Sequence, residues 1–504
     1  MPRLPSLSLP VAPEGPRFVA IARALAGELE RGRWLPGQRL PSSRALAAAL
    51  GVHRNTVLAA LGELEAQGFT VTRPARGVFV SEDLPVARAG QAEGSRALGR
   101  AGYALPALPP RLRDWASGPV PGPGVRGRGR QPMAFSAGVP DPRQFPTDAL
   151  ARAWRRVVRR GSRSLLSYGD PQGHPALRAA LAEMIRSARG VPATAAHVLV
   201  TRGSQMALDL CARALLPRGA RVAVESFGYG PAWNALRLAG AELVPVPVDR
   251  EGLDVDALAS LLEGPARRAS RRLAPISAVY VTPHHQYPTT VTLSPSRRLA
   301  LGALARRHRL LVLEDDYDHE FHYHSRPVAP LAAGDDGEQV VYIGTLSKVL
   351  APGLRQGFVI APPAVIERLT IWRAAMDRQG DQAMEAAVAE LIEDGELARH
   401  MRRMQVLYRE RRDVLVSALT RELGEVLATE VPRGGISLWA KVAPGVDLAR
   451  WLAACAAAGV EISPGTRFSF TGHDPRALRL VYAPWTSAEL TRAVGVMAAA
   501  LPGA

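Results

Sequence analysis

The feature that most limits the possible folds is an alternation of short apolar runs with longer helical patterns, from about residue 132 to the end of the chain. Strands that alternate with helices need crossover connections, so they form a mainly parallel sheet. After about residue 395, long helices are followed by short strand-like runs, which indicates a smaller α+β part. The predicted fold class is therefore α/β. The segments predicted as strands of the large sheet are 197–201, 221–225, 241–247, 277–283, 309–316, 340–345 and 357–362.

Two further regions precede this α/β region, which we place at 132–504. Residues 15–82 show dense helical periodicity and end in short β-like runs, so they are predicted as a separate small domain. Residues 83–131 are rich in Pro, Gly, Ala and Arg and cannot bury enough apolar surface to fold. We predict that this middle region is a flexible linker.

The small N-terminal domain has the pattern of two short helices joined by a tight turn. Ser42 or Ser43 can cap the first helix, Gly51 can end it, and a second helix is predicted from about His53. The segment FTVTRPARGVFV then predicts a β-hairpin. Such a winged helix-turn-helix can place its second helix in the major groove of DNA.

The composition of the chain restricts its expected binding partners and its expected cellular location. A net charge of +17 favours a polyanionic partner, while 47% hydrophobic residues exclude a wholly disordered chain. No apolar run reaches the roughly 18 residues of a membrane span, and the proline-broken N-terminus does not resemble a secretory signal. With only two cysteines, far apart, we expect a reducing, cytoplasmic location.

The scarcity of lysine draws attention to Lys348. Of the 63 lysines and arginines, only Lys348 and Lys441 are lysines. A primary amine can form an imine with a carbonyl, whereas a guanidinium cannot. Lys348 follows a predicted strand in VVYIGTLSKVLAPGLRQG, where Thr345 can donate to an anion and Arg355 can bind a phosphate. This arrangement suits pyridoxal phosphate held as an imine, while Lys441 is interpreted as an exposed residue at a strand end.

Other segments supply the remaining parts of such a site. The strand in RLLVLEDDYDHEF ends in carboxylates, one of which can keep a pyridine nitrogen protonated, and Tyr317 can bond to the ring's 3-oxygen. Gly203, Ser204 and Gln205 lie between a strand and a helix, where free N–H groups and the helix dipole favour phosphate. Tyr229 can stack on the pyridine face or be ordinary core packing.

Two sets of motifs resemble known families. The segments GRWLPGQRLPSSRALA, VHRNTV and RGVFV resemble the head of GntR-type bacterial regulators. The segments GVPDPRQFP, LLSYGDPQGHPALR, TRGSQMALDL, ESFGYGPA, TPHHQYPTT, LEDDYDHEF and GTLSKVLAPGLRQG resemble fold-type I aminotransferases. The whole arrangement is similar to the MocR-type regulators, which join the two. For the head, the resemblance implies that the following residues face DNA: Arg44, Arg54, Thr56, Arg76 and Gly77.

For the larger domain, the resemblance implies pyridoxal 5'-phosphate as cofactor, with Lys348 as the imine lysine. Asp315 would pair with the pyridine nitrogen, and Tyr317 would contact the 3-oxygen. Tyr168 would reach the phosphate of a neighbouring subunit, which implies a homodimer. Arg479 matches the arginine that binds a substrate carboxylate, although it could also be structural. The predicted phosphate contacts are Ser204, Gln205, Thr345 and Arg355, and Tyr229 would stack on the ring.

The chain departs from the aminotransferase pattern in TPHHQYPTT. Tyr287 stands where aminotransferases have asparagine, and Thr290 where they have glycine, which questions the local turn and the contact to the 3-oxygen. The histidines here and in DYDHEFHYH lack a helical i, i+4 pair with a glutamate, so no metal site is predicted.

The sequence thus favours a transcription regulator. Its head would bind an operator as a dimer, and its larger domain would sense pyridoxal phosphate or an amino compound that reacts with it. An alternative is a working aminotransferase with an accessory head, because residual or vestigial transamination is compatible with the site. A third hypothesis, a passive fusion with a structural site, fits less well because the site residues look complete.

Overall fold

The computed structural model describes residues 16–84, 133–136, 138–165, 167–263, 274–323, 328–335 and 338–502. It divides into two compact units, one containing the described residues up to 84 and the other containing those from 133 onward. The predicted linker lies outside the described residues, apart from its first two positions. The predicted domain boundaries therefore stay predictions.

The N-terminal unit is the predicted winged helix-turn-helix. The Ser42 side chain accepts a hydrogen bond from the backbone N–H of Ala45 and so caps the second helix, while Gly51 ends it with a φ of 62°. Its elements are α1 (Arg17–Glu30), α2 (Ser43–Leu50), α3 (Arg54–Ala66), β1 (Thr70–Arg73) and β2 (Gly77–Val80).

A single hydrophobic core holds this unit together. Ile21 and Leu25 of α1, Leu46 of α2, and Val57 and Leu64 of α3 are all buried in it. Strands β1 and β2 pair antiparallel and form the wing. The three helices present apolar residues to one another at helical spacing, so the periodicity of the sequence accounts for this unit.

Among the described helices, none taken singly has both the length and the apolar composition to cross a membrane; α2 and α3, bent by 115°, meet the test only when counted together.

A seven-stranded sheet forms the centre of the larger unit. Its strand order is β4-β12-β11-β10-β9-β5-β6, and β12 runs antiparallel to both of its neighbours. Every segment predicted as a strand of the large sheet belongs to it, so the predicted mainly parallel α/β fold is confirmed. The strands are β4 (Val198–Thr201), β5 (Arg221–Glu225), β6 (Glu242–Val246), β9 (Ile276–Val281), β10 (Leu311–Asp316), β11 (Val340–Thr345) and β12 (Gly357–Ile360).

Helices cover both faces of this sheet. Successive side chains of a strand point to opposite faces, so Val312 belongs to one hydrophobic core and Leu313 to the other. The helices of this part of the chain, of which α4 packs on α11, are α4 (Thr147–Leu165), α5 (Pro175–Arg189), α6 (Gly203–Leu215), α7 (Gly230–Leu238), α8 (Val255–Glu263), α9 (Pro295–His308), α10 (Pro363–Met376) and α11 (Gln382–Glu393).

The C-terminal part is the smaller α+β region that the sequence predicts. A long helix leads into a four-stranded antiparallel sheet of order β13-β14-β17-β16. The elements are α12 (Glu396–Leu423), β13 (Leu427–Thr429), β14 (Ser437–Val442), α13 (Leu448–Ala457), β15 (Val460–Glu461), β16 (Ser463–Pro464), β17 (Ala477–Val481) and α14 (Ser487–Ala499). Three short strands complete the unit: β3 (Met133–Ala134), which pairs with β15, and the hairpin of β7 (Val248–Asp249) and β8 (Gly252–Leu253).

The strand order determines where a site can form. Strands β4, β9, β10 and β11 run in the same direction, so the loops that follow them leave the sheet at one edge. Ligands of open α/β sheets bind at this edge, beyond the carboxyl ends of the strands. Most of the predicted cofactor residues lie at or beyond the ends of these strands, whereas Tyr229 follows β5 and Tyr168 lies between α4 and α5.

Candidate functional site

A pocket opens at this carboxyl edge of the large sheet. It combines residues from β10 and from the segments after β4, β5, β9, β10 and β11 with Gly138 and with residues from the smaller C-terminal part. Its lining consists of Gly138, Ser204, Tyr229, Thr282, Tyr287, Asp315, Tyr317, Lys348, Ile436 and Arg479. Six of these residues were predicted as site residues from the sequence, so the structure brings together segments that are far apart in the chain.

Lys348 lies in the loop after β11, and its amine reaches into the pocket. The Nζ atom donates a hydrogen bond of 2.7 Å to the carbonyl oxygen of Gly138. Burial lowers the pKa of the Lys348 amine to about 8, and the positive charge of Arg479 acts in the same direction. A larger share of neutral amine at physiological pH makes this lysine a better nucleophile than an exposed one.

Asp315, near the end of β10, supplies the carboxylate of the pocket. Its Oδ2 atom accepts a 2.8 Å hydrogen bond from the hydroxyl of Tyr280, while its Oδ1 atom is buried without a partner among the described residues. Burial raises the pKa of Asp315 to about 7, against the opposing effect of the Tyr280 hydrogen bond. A buried carboxylate oxygen with spare acceptor capacity fits a protonated ring nitrogen.

Three tyrosines form an aromatic wall around the pocket. The rings of Tyr229 and Tyr287 meet edge to face with centroids 5.3 Å apart, and those of Tyr287 and Tyr317 are 6.0 Å apart. The Tyr317 hydroxyl donates a 3.0 Å hydrogen bond to the backbone oxygen of His285. Tyr317 therefore lines the pocket, but its hydroxyl hydrogen is already donated to the backbone oxygen of His285.

A second group of predicted residues lies together at the N-terminus of α6, where the sequence predicts a phosphate contact. Gly203 begins this helix with a φ of 75°, and a Cβ on it would lie 3.3 Å from the guanidinium of Arg355. Ser204 follows in the first turn, where backbone N–H groups have no partner within the helix. The predicted phosphate contacts Gly203, Ser204 and Arg355 are thus adjacent in space.

Two other predicted phosphate contacts make hydrogen bonds within the protein. The Thr345 hydroxyl donates to the Ser347 hydroxyl at 3.0 Å, and the Gln205 side-chain amide donates to the backbone oxygen of Pro231 at 3.1 Å. Neither residue lines the pocket itself. Thr345 orients Ser347 close to Lys348, and Gln205 stays at the start of α6.

Arg479, in β17, contributes a buried cation to the pocket. Its side chain is 2% exposed, and its guanidinium lies over the Tyr287 ring at 4.7 Å from the centroid. Within the described ranges, its Nε and Nη1 atoms have no hydrogen-bond partner. A buried guanidinium in this state is suited to a carboxylate of a bound molecule.

Tyr168 lies outside this pocket. It is 78% exposed, and the guanidinium of Arg378 lies 5.0 Å from its ring centroid. An exposed tyrosine is free to contact a second subunit, which is the role predicted for it from the sequence. Tyr168 and the homodimer stay predictions.

The departures in TPHHQYPTT have a structural outcome. Thr290 adopts a φ of 65°, a left-handed conformation that favours glycine, and its backbone N–H donates to the oxygen of Gln286 at 2.7 Å. The turn is therefore kept despite the missing glycine. Tyr287 fills the asparagine position with an aromatic ring that contacts Arg479.

Sequence reasoning missed four of the pocket residues. Gly138 accepts the hydrogen bond of the Lys348 amine, and Thr282 donates to Glu225 at 2.7 Å. Ile436 and Tyr287 contribute apolar surface to the lining. Gly138, Thr282 and Tyr287 lie in motifs that carry the family resemblance, GVPDPRQFP and TPHHQYPTT, which was a usable signal; Ile436 had none.

In the N-terminal unit, the residues predicted to face DNA lie at the two helix starts and the wing. Arg44 is exposed in the first turn of α2, and Arg54 is exposed at the start of α3, with its Nε atom 3.3 Å from the Ser43 hydroxyl. Thr56 is half-buried in the first turn of α3. Arg76 is exposed in the wing turn, next to Gly77, whose φ of 107° favours glycine.

Comparisons with known proteins agree with this two-part architecture. Residues 19–80 match the family described as bacterial regulatory proteins, gntR family. Residues 130–497 match the family described as aminotransferase class I and II. The second match covers more than half of the chain, so the larger unit is an aminotransferase class I and II domain.

Two regulators are similar to the chain across both units. One is a probable rhizopine catabolism regulatory protein MocR of Rhizobium meliloti, 33% identical over 90% of this chain and 90% of its own length. The other is the HTH-type transcriptional regulator TauR of Rhodobacter capsulatus, 33% identical over 93% of each. The chain belongs to the MocR-type regulators of the GntR family. The predicted family, fold class and regulatory function are thereby confirmed.

Solved structures support the same description of the larger domain of this MocR-type regulator. The crystal structure of LysN, an alpha-aminoadipate aminotransferase of Thermus thermophilus, matches with a TM-score of 0.66 and 30% identity. The match covers 74% of this chain and 92% of LysN, which was solved with N-(5'-phosphopyridoxyl)-L-leucine. The MocR-type chain therefore has the fold of aminotransferases in addition to its regulatory head.

Proposed function

We propose that this MocR-type regulator binds pyridoxal 5'-phosphate through Lys348 and couples the occupancy of that pocket to the binding of operator DNA. The observation that carries the proposal is that Lys348 and Asp315 line one pocket, in which the buried Oδ1 atom of Asp315 has no partner among the described residues. When bound, pyridoxal phosphate supplies an aldehyde that reacts with amines and a ring that withdraws electrons.

The residues of the pocket, together with Gly203 and Arg355 next to Ser204, fit the two ends of such a molecule. Asp315 offers a free oxygen to a protonated ring nitrogen, and Tyr229 offers an aromatic surface. Gly203, Ser204 and Arg355 offer backbone N–H groups and a guanidinium to a phosphate. Thr345 and Gln205 would hold neighbouring residues in place through their hydrogen bonds to Ser347 and to Pro231. Tyr317 would contact the ring's 3-oxygen.

The effector class follows from Arg479. This buried guanidinium lines the same pocket as Lys348, and two of its nitrogens lack partners in the described structure. An amino compound that also carries a carboxylate could place its amine near the cofactor position and its carboxylate on Arg479. We infer that amino acids of this kind, or pyridoxal phosphate itself, are the signal.

The N-terminal unit would carry out the regulation by binding operator DNA. Arg44 and Arg54 expose guanidinium groups at the starts of two helices, where N–H groups and the helix dipole also attract phosphates. Arg76 extends from the wing, and Thr56 and Gly77 complete the predicted DNA-facing set. A ligand that favours one arrangement of a homodimer would change operator occupancy by its differential affinity. A cytoplasmic location, where operator DNA lies, is part of the proposal.

Borohydride trapping tests the site, because the chain contains only two lysines. Purified full-length protein would be incubated with pyridoxal phosphate, reduced and digested, and the pyridoxyl group located by mass spectrometry. We expect the label on Lys348, none in the Lys348→Ala variant, and unchanged labelling in Lys441→Ala, which removes the exposed lysine of β14. Labelling of Lys441 alone, or equal labelling of both, would refute the assignment.

A further inference from the structure

A cluster of histidine and aspartate side chains lies close to the pocket, but faces away from it. His284 is in the loop after β9, Asp316 is the last residue of β10, and His319 follows three residues later. A nitrogen or oxygen atom from each side chain lies within 4.8 Å of the corresponding atoms of the other two. All three side chains are buried, with exposures of 5% or less.

The hydrogen bonds of this cluster are incomplete. His319 Nδ1 lies 2.9 Å from Asp316 Oδ2, and the rings of His284 and His319 have centroids 4.5 Å apart. Among the residues the structure describes, His284 Nδ1, Asp316 Oδ1 and His319 Nε2 are buried without any partner. Leaving a buried polar atom unpaired costs about 1–3 kcal/mol. A metal cation accepts electron pairs from both nitrogen and oxygen, so it is a suitable partner for these unpaired atoms.

The cluster is separate from the cofactor pocket because adjacent residues of a strand point to opposite faces of the sheet. Asp315 points to the pocket side, where it accepts a hydrogen bond from Tyr280. Asp316 points to the other side, where its Oδ2 atom accepts a 2.7 Å hydrogen bond from the Tyr342 hydroxyl. A ligand of the cluster is therefore not the ligand of the pocket.

The charged groups around the cluster are compatible with a bound cation. Two guanidinium groups lie near the cluster. Arg189 lies 3.8 Å from Asp316 Oδ2 and also donates to Glu320 and to the Tyr342 hydroxyl, and Arg298 donates to the backbone oxygen of Pro283, next to His284. Glu320 pairs with Arg189, and Glu314 interacts electrostatically with Arg298, so each guanidinium has a carboxyl group other than Asp316. The neighbouring His285 is already hydrogen-bonded to Asp318, with 2.8 Å between His285 Nδ1 and Asp318 Oδ1.

We propose that His284, Asp316 and His319 bind one Zn²⁺ ion. Two imidazoles and one carboxylate form an established ligand set of zinc, and water can take the fourth position. The ion would join the loops after β9 and β10, which also carry Tyr287 and Tyr317 into the cofactor pocket. It would therefore connect two segments that line that pocket.

This proposal differs from the sequence prediction, which found no metal site. That prediction looked for two histidines one helical turn apart with a glutamate. The ligands proposed here come from the ends of two neighbouring parallel strands. Their proximity depends on the pairing of β9 with β10, which spacing along the chain does not reveal.

Zinc content of the full-length protein tests the proposal. Protein without a histidine tag would be stripped with a chelator, dialysed against Zn²⁺ and then against buffer, and analysed by mass spectrometry of the metal. We expect one zinc per chain in the natural protein and background content in His284→Gln and His319→Gln. His473→Gln, which changes an exposed histidine of the same unit, should keep the zinc. Background content in the natural protein, or full content in both cluster variants, would overturn the proposal.

A second measurement does not depend on the folding of the variants. Crystals of the natural protein soaked in Zn²⁺ would be measured at the zinc absorption edge. We expect an anomalous peak among the side chains of His284, Asp316 and His319. Peaks confined to other positions would overturn the assignment even if the protein retains zinc. The pyridoxal labelling of Lys348 is a separate readout, so the two proposals can fail independently.

Discussion

The guanidinium of Arg479 lies over the ring of Tyr287, with its central carbon 4.7 Å from the ring centroid. Tyr287 occupies the position at which aminotransferases carry asparagine, so this pair joins a departure from the family pattern to the residue predicted to bind a carboxylate. The electron-rich face of the ring partly offsets the cost of burying the guanidinium. The aromatic residue thus helps to hold Arg479 in the pocket without neutralising its charge.

Removal of the Tyr287 ring should destabilise the protein. We expect Tyr287→Leu to lower the free energy of unfolding by about 2 kcal/mol, because a desolvated cation–π contact and several aromatic contacts are lost. Tyr287→Phe should retain most of the stability, since it keeps the ring. Urea denaturation measures both changes. An equal loss in the two variants would show that the hydroxyl, not the ring, is responsible.

Restoring glycine at position 290 should stabilise the protein. Thr290 has a φ of 65°, which is strained for a β-branched residue and unstrained for glycine. We expect Thr290→Gly to raise the free energy of unfolding by about 1 kcal/mol. Thr289→Gly is a matched control without a positive φ and should lower it, partly through the loss of the 2.6 Å hydrogen bond to Gln286. A destabilised Thr290→Gly variant would contradict this account.

The reaction of Lys348 with aldehydes should depend on pH around 8. Only the neutral amine is nucleophilic, so the rate of labelling by pyridoxal phosphate should rise as pH increases through about 8 and then level off. In the ligand-free protein, the pKa of Lys348 is lower when folded than when unfolded, at about 8 against 10.5. The unfolded state therefore binds more protons between these values, and this group makes stability rise with pH there.

Two measurements check this pH dependence. Stopped-flow absorbance gives the labelling rate at each pH, and urea denaturation of ligand-free protein gives the stability. The Lys348→Ala variant should lose the labelling and also the part of the stability slope between pH 8 and 10.5 that belongs to this amine. A labelling rate that rises only near the ordinary lysine value would show that the amine is not perturbed.

Arg479 should discriminate among amino compounds. With pyridoxal phosphate bound, we expect amino acids to change the visible absorption at lower concentrations than amines of the same size that lack a carboxylate. Arg479→Ala should remove this preference while retaining a response to simple amines, because the carboxylate contact is lost and Lys348 is kept. Titrations followed by absorbance measure both. A preference that survives the substitution would assign the carboxylate to another residue.

Arg54 should contribute to sequence-specific DNA binding. We expect Arg54→Ala to weaken binding to DNA upstream of the protein's own gene by about 1–3 kcal/mol, the value of a good arginine contact to a base. The dependence on salt should change less than the affinity does. Arg23→Ala, which alters an exposed arginine of α1, is the matched control. Mobility shifts at several salt concentrations measure these effects, and equal losses in both variants would contradict the prediction.

Much of the architecture was predictable because it follows from local patterns. Apolar runs such as 309–316 and 340–345 are strands of the large sheet, and the caps at Ser42 and Gly51 define α2 as expected. Each depends on residues only a few positions apart. Lys348 could be singled out for a different reason, since lysine is rare in this chain and this one follows a strand.

Other features arise only when distant segments meet. Lys348 donates a hydrogen bond to Gly138, 210 positions away, and Arg479 packs on Tyr287. The side chains of Asp315 and Asp316 point to opposite faces of one sheet. Periodicity is a local property, and it was enough to assign strands, helices and the two-part organisation. Side-chain contacts depend on the order and direction in which the strands pair, so the pocket lining and the buried histidine cluster became visible only in the folded chain.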